Sequence, residues 1–168
     1  MWHAILMTLS TLALTGAVPA TGQQRGATCS MSAYYLNGTR LNVRAGPSAA
    51  SRALRTRPHQ GSPVAEITAQ RGGWFRVSRI TDYEDDTVLF QGDGWVPVAS
   101  LGTSIANADP WLRARPARQS RRLARLVPDF SQVTLIGCSG NWAQVRFRRQ
   151  VGWLSSGGQC SNPLTTCP

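Results

Sequence analysis

Val43-Arg-Ala-Gly-Pro-Ser-Ala-Ala-Ser-Arg-Ala-Leu54 and Leu112-Arg-Ala-Arg-Pro-Ala-Arg-Gln-Ser-Arg-Arg-Leu123 are one pattern written twice, at a constant offset of 69 residues. Each copy is followed by the same punctuation. Gly73-Trp74-Phe75-Arg76-Val77 answers Asn141-Trp142-Ala143-Gln144-Val145, and Gly94-Trp95-Val96 answers Gly152-Trp153-Leu154. A repeat of this kind governs the whole fold, because each copy is one structural unit. The offset falls to 68 at Trp74/Trp142 and to 58 at Trp95/Trp153, so unit one carries ten extra residues between those points. They belong to the stretch 80–93, a hairpin extension holding five of the eight acidic residues.

Outward from the repeat, the remaining signals place strands and turns. Asn37-Gly38 suits a tight hairpin turn, since both residues tolerate positive φ. Residues 46–63 read as irregular. Short β-rich segments follow at 64–69, 74–80, 87–90 and 94–97, then a single 3₁₀ turn at 98–101. Unit two repeats this at 111–115, 132–138, 142–148 and 151–154, with period-two alternation marking half-buried strands. Gly102 to Pro110 reads as a linker. These features predict an all-β chain of two tandem, small, five-stranded open barrels, the first over 33–104 and the second over 105–168.

The N-terminus reads differently. Ala4 to Val18 is apolar but too short to span a bilayer comfortably, and Val18-Pro-Ala20 offers small residues at a cleavage site, so residues 1–20 predict a signal peptide. Residues 21–32 then form a polar lead-in. The four cysteines are even in number and lack zinc-like spacing, and after an export signal they predict disulfides. Cys138 ends a strand and Cys160 follows the last strand of the same unit. The expected pairing is therefore Cys138–Cys160 with Cys29–Cys167.

All 18 basic residues are Arg, giving a net charge of +10. Residues 29–104 hold eight Arg against six acids, and 105–168 hold nine against two. Such a surface attracts anionic polymers or headgroups. Export makes nucleic acid an unexpected partner, while an anionic membrane surface or wall polymer stays open.

Leu41-Asn-Val-Arg-Ala-Gly-Pro-Ser48, with the later Gly73-Trp74, Val77 and Gly94-Trp95-Val96, closely resembles the bacterial Src-homology-3 domain. Residues 112–154 are similar, with Arg115 where unit one has Gly46 and Ala117 where it has Ser48. The resemblance implies five-stranded barrels of exported, periplasmic or secreted proteins that often bind peptidoglycan or its peptide stems. The alternative partner is an extended peptide of another envelope protein, such as a wall hydrolase or toxin that the chain docks or inhibits.

Candidate residues carry competing roles. Arg44 and Arg113 have the guanidinium fork that matches a carboxylate, but their recurrence equally suits Arg residues bonding loop carbonyls. Trp74, Trp95, Trp142 and Trp153, with Tyr83, are candidates to floor a ligand groove, against ordinary core packing. Arg118, Arg121, Arg122 and Arg125 form a basic run suited to an anionic surface. The acidic cluster 82–86 lacks the alternating spacing of a calcium loop and reads as a solvated hairpin, or one that docks on that Arg run. His59 has no partnered nucleophile and no phosphate loop or dinucleotide motif occurs, so no enzyme, metal or cofactor is expected.

Overall fold

Apolar residues at every second position build nearly every strand of this chain, so each strand presents one buried and one outward face. The computed structural model describes residues 26–168 other than 59, 129, 130, 163, 165, 166 and 168. The expected signal peptide and His59 lie outside the described residues. The first strands are β1 (Ala27–Tyr35), β2 (Leu41–Arg44), β3 (Ala53–Arg57), β4 (Pro63–Arg71), β5 (Trp74–Asp82) and β6 (Val88–Pro97). A 3₁₀ turn at Val98–Ser100 leads to β7 (Leu101–Gly102) and β8 (Ser104–Ile105). Then come β9 (Trp111–Arg113), β10 (Arg122–Arg125), β11 (Thr134–Ser139), β12 (Trp142–Phe147), β13 (Gln150–Leu154) and β14 (Gln159–Cys160). Among the described residues there is no α-helix, and the fold is all-β.

The repeat reappears as topology. The first sheet runs β3-β2-β6-β5-β4-β1-β7, and the second runs β10-β9-β13-β12-β11. Corresponding strands thus occupy the same order in both, with β1 and β7 added to the first. A two-stranded ladder of β14 and β8 completes the pairing. The repeated loop is also kept bond for bond. Ala45 N–H donates to Arg52 O, Ser48 N–H to Gly46 O, and Ser51 N–H to Ser48 O, while Ala114, Ala117 and Ser120 make the same bonds to Arg121, Arg115 and Ala117. Arg115 therefore replaces Gly46 without changing the turn.

The Gly of each Gly-Trp pair has a packing cause. A Cβ on Gly94 would lie 2.2 Å from Val43 Cγ1, and one on Gly152 would lie 2.6 Å from Leu112 Cγ. The first apolar residue of the repeated motif occupies the space that the later Gly leaves empty. Around these contacts lie Phe75, Val77 and Val96 in one sheet and Ala143, Val145 and Leu154 in the other, all fully buried. The buried residues of both sheets join in one continuous cluster. Each large apolar side chain so enclosed contributes roughly 1.5–3 kcal/mol of transfer free energy.

Four expectations change. The stretch 27–32 is no lead-in but the first two-thirds of β1, paired with β4. The 102–110 linker is partly sheet, since Gly102 pairs with Tyr34 and Ser104–Ile105 pair with β14. Residues 53–57 and 122–125, within stretches without an expected strand, form β3 and β10, edge strands whose backbones need only one partner.

The disulfides are Cys29–Cys138 and Cys160–Cys167, not Cys138–Cys160 and Cys29–Cys167. The physical reason is β1. Placed in the first sheet, it carries Cys29 to within 5.8 Å (Cα–Cα) of Cys138 in β11, while Cys160 sits in the β8–β14 ladder, where the C-terminal segment returns to it. Two disulfides suggest an oxidising, extracytoplasmic environment. No helix of the described residues is long and apolar enough to cross a membrane.

Candidate functional site

The junction between the sheets lies along two strands that each carry a β-bulge. In β1 the register slips between Thr28 and Met31, freeing the Ser30 N–H to donate to Gly140 O at 2.7 Å; Gly140 N–H returns the bond to Thr28 O at 2.8 Å. In β11 the slip lies between Leu135 and Gly137. The Gln70 side chain fills it, donating from Nε2 to Ile136 O at 3.2 Å and accepting the Cys138 N–H at 2.9 Å. A Cβ at position 137 would lie 2.7 Å from Gln70 Oε1, so a larger residue there would displace the Gln70 amide from its place.

Beside this junction, three depressions that share lining residues adjoin in a row, together a polar groove. The first, about 290 Å³, lies against Glu66, Thr68 and Ser78 and shares Ser30, Met31 and Ser32 with the second, of about 180 Å³. The second shares Asn141 and Ser156 with a third of about 240 Å³, which Trp142 and Arg118 also line. Gln159 Nε2 donates to Asn141 O at 2.7 Å and fixes the wall at the crossing point. Hydroxyls and amides, which both donate and accept, dominate the lining, with a carboxylate at one end and an aromatic and a guanidinium at the other.

Alternation sends all four repeated Trp residues to the outward faces, where each is half-buried, while their neighbours Phe75, Val96, Ala143 and Leu154 take the core. Trp95 lies between Arg44 and Arg76 across strands, and Trp153 lies between Arg113 and Gln144. Trp142 alone among the four lines the groove described above. Trp74 pairs with Pro97 at the start of β5, and Tyr83 stands apart on the acidic hairpin, its hydroxyl accepting from Asn162 Nδ2 at 2.8 Å. The candidate residues therefore do not converge on one groove per unit.

Arg44 Nη1 donates to Ser51 O at 2.9 Å, and Arg113 Nη1 donates to Arg118 O at 2.6 Å. Arg113 is only 6% exposed and its Nη2 is bidentate to Asp109, at 3.0 and 3.2 Å. Its ligand role gives way to a loop-holding one, since both Nη groups bond inside the protein. Arg118, Arg121, Arg122 and Arg125 are exposed, and Arg122 stacks over the Trp111 ring at 4.4 Å. The acidic hairpin is occupied by its own turns. Asp82 Oδ1 accepts from Ser62 and Glu84 N–H, and Thr87 N–H holds the Asp85 carboxyl below its ordinary pKa. Among the described residues no three His, Cys, Asp or Glu cluster to hold a metal ion.

The Ser30–Ser32 and Ser156–Gln159 walls of the groove were not candidates from sequence. The available signal was the alternation Cys29, Met31, Ala33, Tyr35, all buried in β1, which places Ser30 and Ser32 outward.

No protein-family model matches the chain, and no curated protein sequence does. Among solved structures, NlpC2 from Trichomonas vaginalis is similar at a TM-score of 0.33 and 16% identity, over 81% of this chain and 48% of that one. The chain thus spans about half the length of that structure.

Proposed function

We propose that the chain is an exported, non-enzymatic binding protein of two Src-homology-3-like barrels in tandem, and that its junction groove holds peptidoglycan. The observation that carries this reading is the groove itself. It is polar along its length, crosses from one sheet to the other, and ends on Trp142 beside Arg118. Sugar rings and acetamido groups need paired donors and acceptors along a strip, with an aromatic face for the apolar side of a ring. A stem carboxylate matches the Arg118 end, whose guanidinium is exposed. The duplicated strand order favours two related barrels, although fold alone does not select a ligand.

Co-sedimentation with purified sacculi at low salt tests it. The wild type is retained, and Trp142→Ala lowers retention by about tenfold, the scale of one lost aromatic contact and its buried area. Trp74→Ala, remote from the groove, leaves retention unchanged. If wild-type protein stays in the supernatant, or if both variants behave alike, the wall reading fails.

A further inference from the structure

At the far end of the second sheet lies a different surface. The β12–β13 hairpin closes on two residues, Arg148 and Arg149, between the paired Phe147 and Gln150. Beside it Leu123 and Ala124 of β10, with Phe147, line a depression of about 450 Å³. These three are only partly buried, although they pack against the core. Arg148 stands at φ 54°, a left-handed conformation that Gly or Asn would adopt with less strain. Strain of this kind persists where another requirement overrides local stability. Here it sets two adjacent guanidiniums on the rim, with the Arg148 cation 5.0 Å over the Phe147 ring.

Unit one is built differently at the corresponding turn. There the strands continue past Arg79 and Gln91, and the longer hairpin buries Ile80 and Leu89 and packs Phe90 against the core. The same hairpin bears Asp82, Glu84, Asp85 and Asp86. Unit two lacks these residues and leaves the apolar floor open, flanked by Arg148 and Arg149, neither of which forms an ion pair with a described carboxylate.

We propose that the depression between β10 and the β12–β13 turn docks an acidic peptide segment of a partner protein, one aromatic or branched aliphatic side chain filling the floor and flanking carboxylates meeting the Arg rim. Concavity with an apolar floor favours a side chain over a flat lipid surface, and a purely anionic polymer has nothing to fill it. The inference is independent of the wall reading.

The test is fluorescence polarisation of the full-length protein with a labelled, end-blocked peptide, Gly-Asp-Glu-Phe-Asp-Glu-Gly. Saturable binding is expected, weakening with salt as charge pairs are screened. Arg148→Gly with Arg149→Ser relieves the backbone strain while removing both charges, so the variant folds and loses affinity by at least about tenfold. Replacing the peptide Phe by Ala causes a comparable loss, whereas Trp142→Ala in the protein has no effect. Absence of saturable binding, equal affinity in the double variant, or equal binding of the Phe-lacking peptide would overturn the proposal. So would phosphatidylglycerol vesicles binding with the same dependence on Arg148 and Arg149 and displacing the peptide.

Discussion

Gln70 of β4 accepts the backbone N–H of Cys138 in β11 at 2.9 Å, across 68 residues of sequence. With the Ile136 carbonyl held by the same amide, one side chain satisfies two backbone groups of β11, the edge strand of the second sheet. Unpaired buried backbone groups are costly, so this amide belongs to the stability of the junction.

Gln70→Ala is therefore expected to lower unfolding stability by about 1–3 kcal/mol, the cost of leaving a donor and an acceptor unmet. Urea denaturation followed by Trp fluorescence measures it. Gln70→Glu loses the donor to Ile136 O and the Cys138 N–H bond alone survives, so it falls between the two.

The two disulfides differ in what they constrain. Cys29–Cys138 closes a separation of 109 residues and Cys160–Cys167 one of 7. In the chain-entropy account the longer loop is worth about 4.7 kcal/mol and the shorter roughly 2–3. The paired Ser variant at Cys29 and Cys138 is expected to unfold at distinctly lower denaturant than the paired Ser variant at Cys160 and Cys167. Equal midpoints for the two would contradict the long-range role of the first bridge.

The motif positions were legible because the same packing contact is built once in each unit. Val43 and Leu112 need the space over Gly94 and Gly152, so apolar residue and Gly recur together and betray the repeat. The outward path of Trp95 and Trp153 was equally readable, since Val96 and Leu154 alternate with them. What the sequence hid was long-range. Nothing near Gln70 points to β11, and nothing near Cys29 points to Cys138, because both contacts arise only when β1 joins the first sheet and the two sheets meet. The groove inherits the same opacity: Ser30 and Asn141 lie 111 residues apart and share a wall only through that meeting.

Arg44 and Arg113 occupy matching places in the repeat but not matching environments. Arg44 makes its bond from a half-exposed position, whereas Arg113 is buried and paired with an Asp109 that also accepts the Ser155 hydroxyl at 2.6 Å. Arg44→Ala should cost about 1 kcal/mol, one hydrogen bond. Arg113→Ala should cost about 3 kcal/mol, because it leaves a largely desolvated carboxylate without its cation. Arg113→Lys does not restore the loss, since one ammonium nitrogen cannot take the places of both Nη1, on Arg118 O, and Nη2, on Asp109. Thermal unfolding of the three variants at one pH compares them directly.

Tyr35 gives the pH prediction. Its side chain is 2% exposed, its hydroxyl has no hydrogen-bond partner among the described residues, and burial raises its pKa well above that of an ordinary phenol. The folded state therefore keeps the proton longer than the unfolded state. Below about pH 10, the ordinary phenol value, both states are neutral and the group contributes no pH dependence. As pH rises past that point the unfolded chain ionises first, so folding stability falls by up to about 1.4 kcal/mol for each further pH unit. Tyr35→Phe removes this slope and the unpaired hydroxyl together. It is expected to match or exceed wild-type stability at pH 7, where the buried hydroxyl has no bond to lose, and to flatten the alkaline limb of the curve. Equilibrium unfolding from pH 7 to 11 on both proteins reads the difference. A variant less stable than wild type at pH 7, with an unchanged alkaline slope, would mean that the hydroxyl is bonded and that other groups govern the alkaline loss.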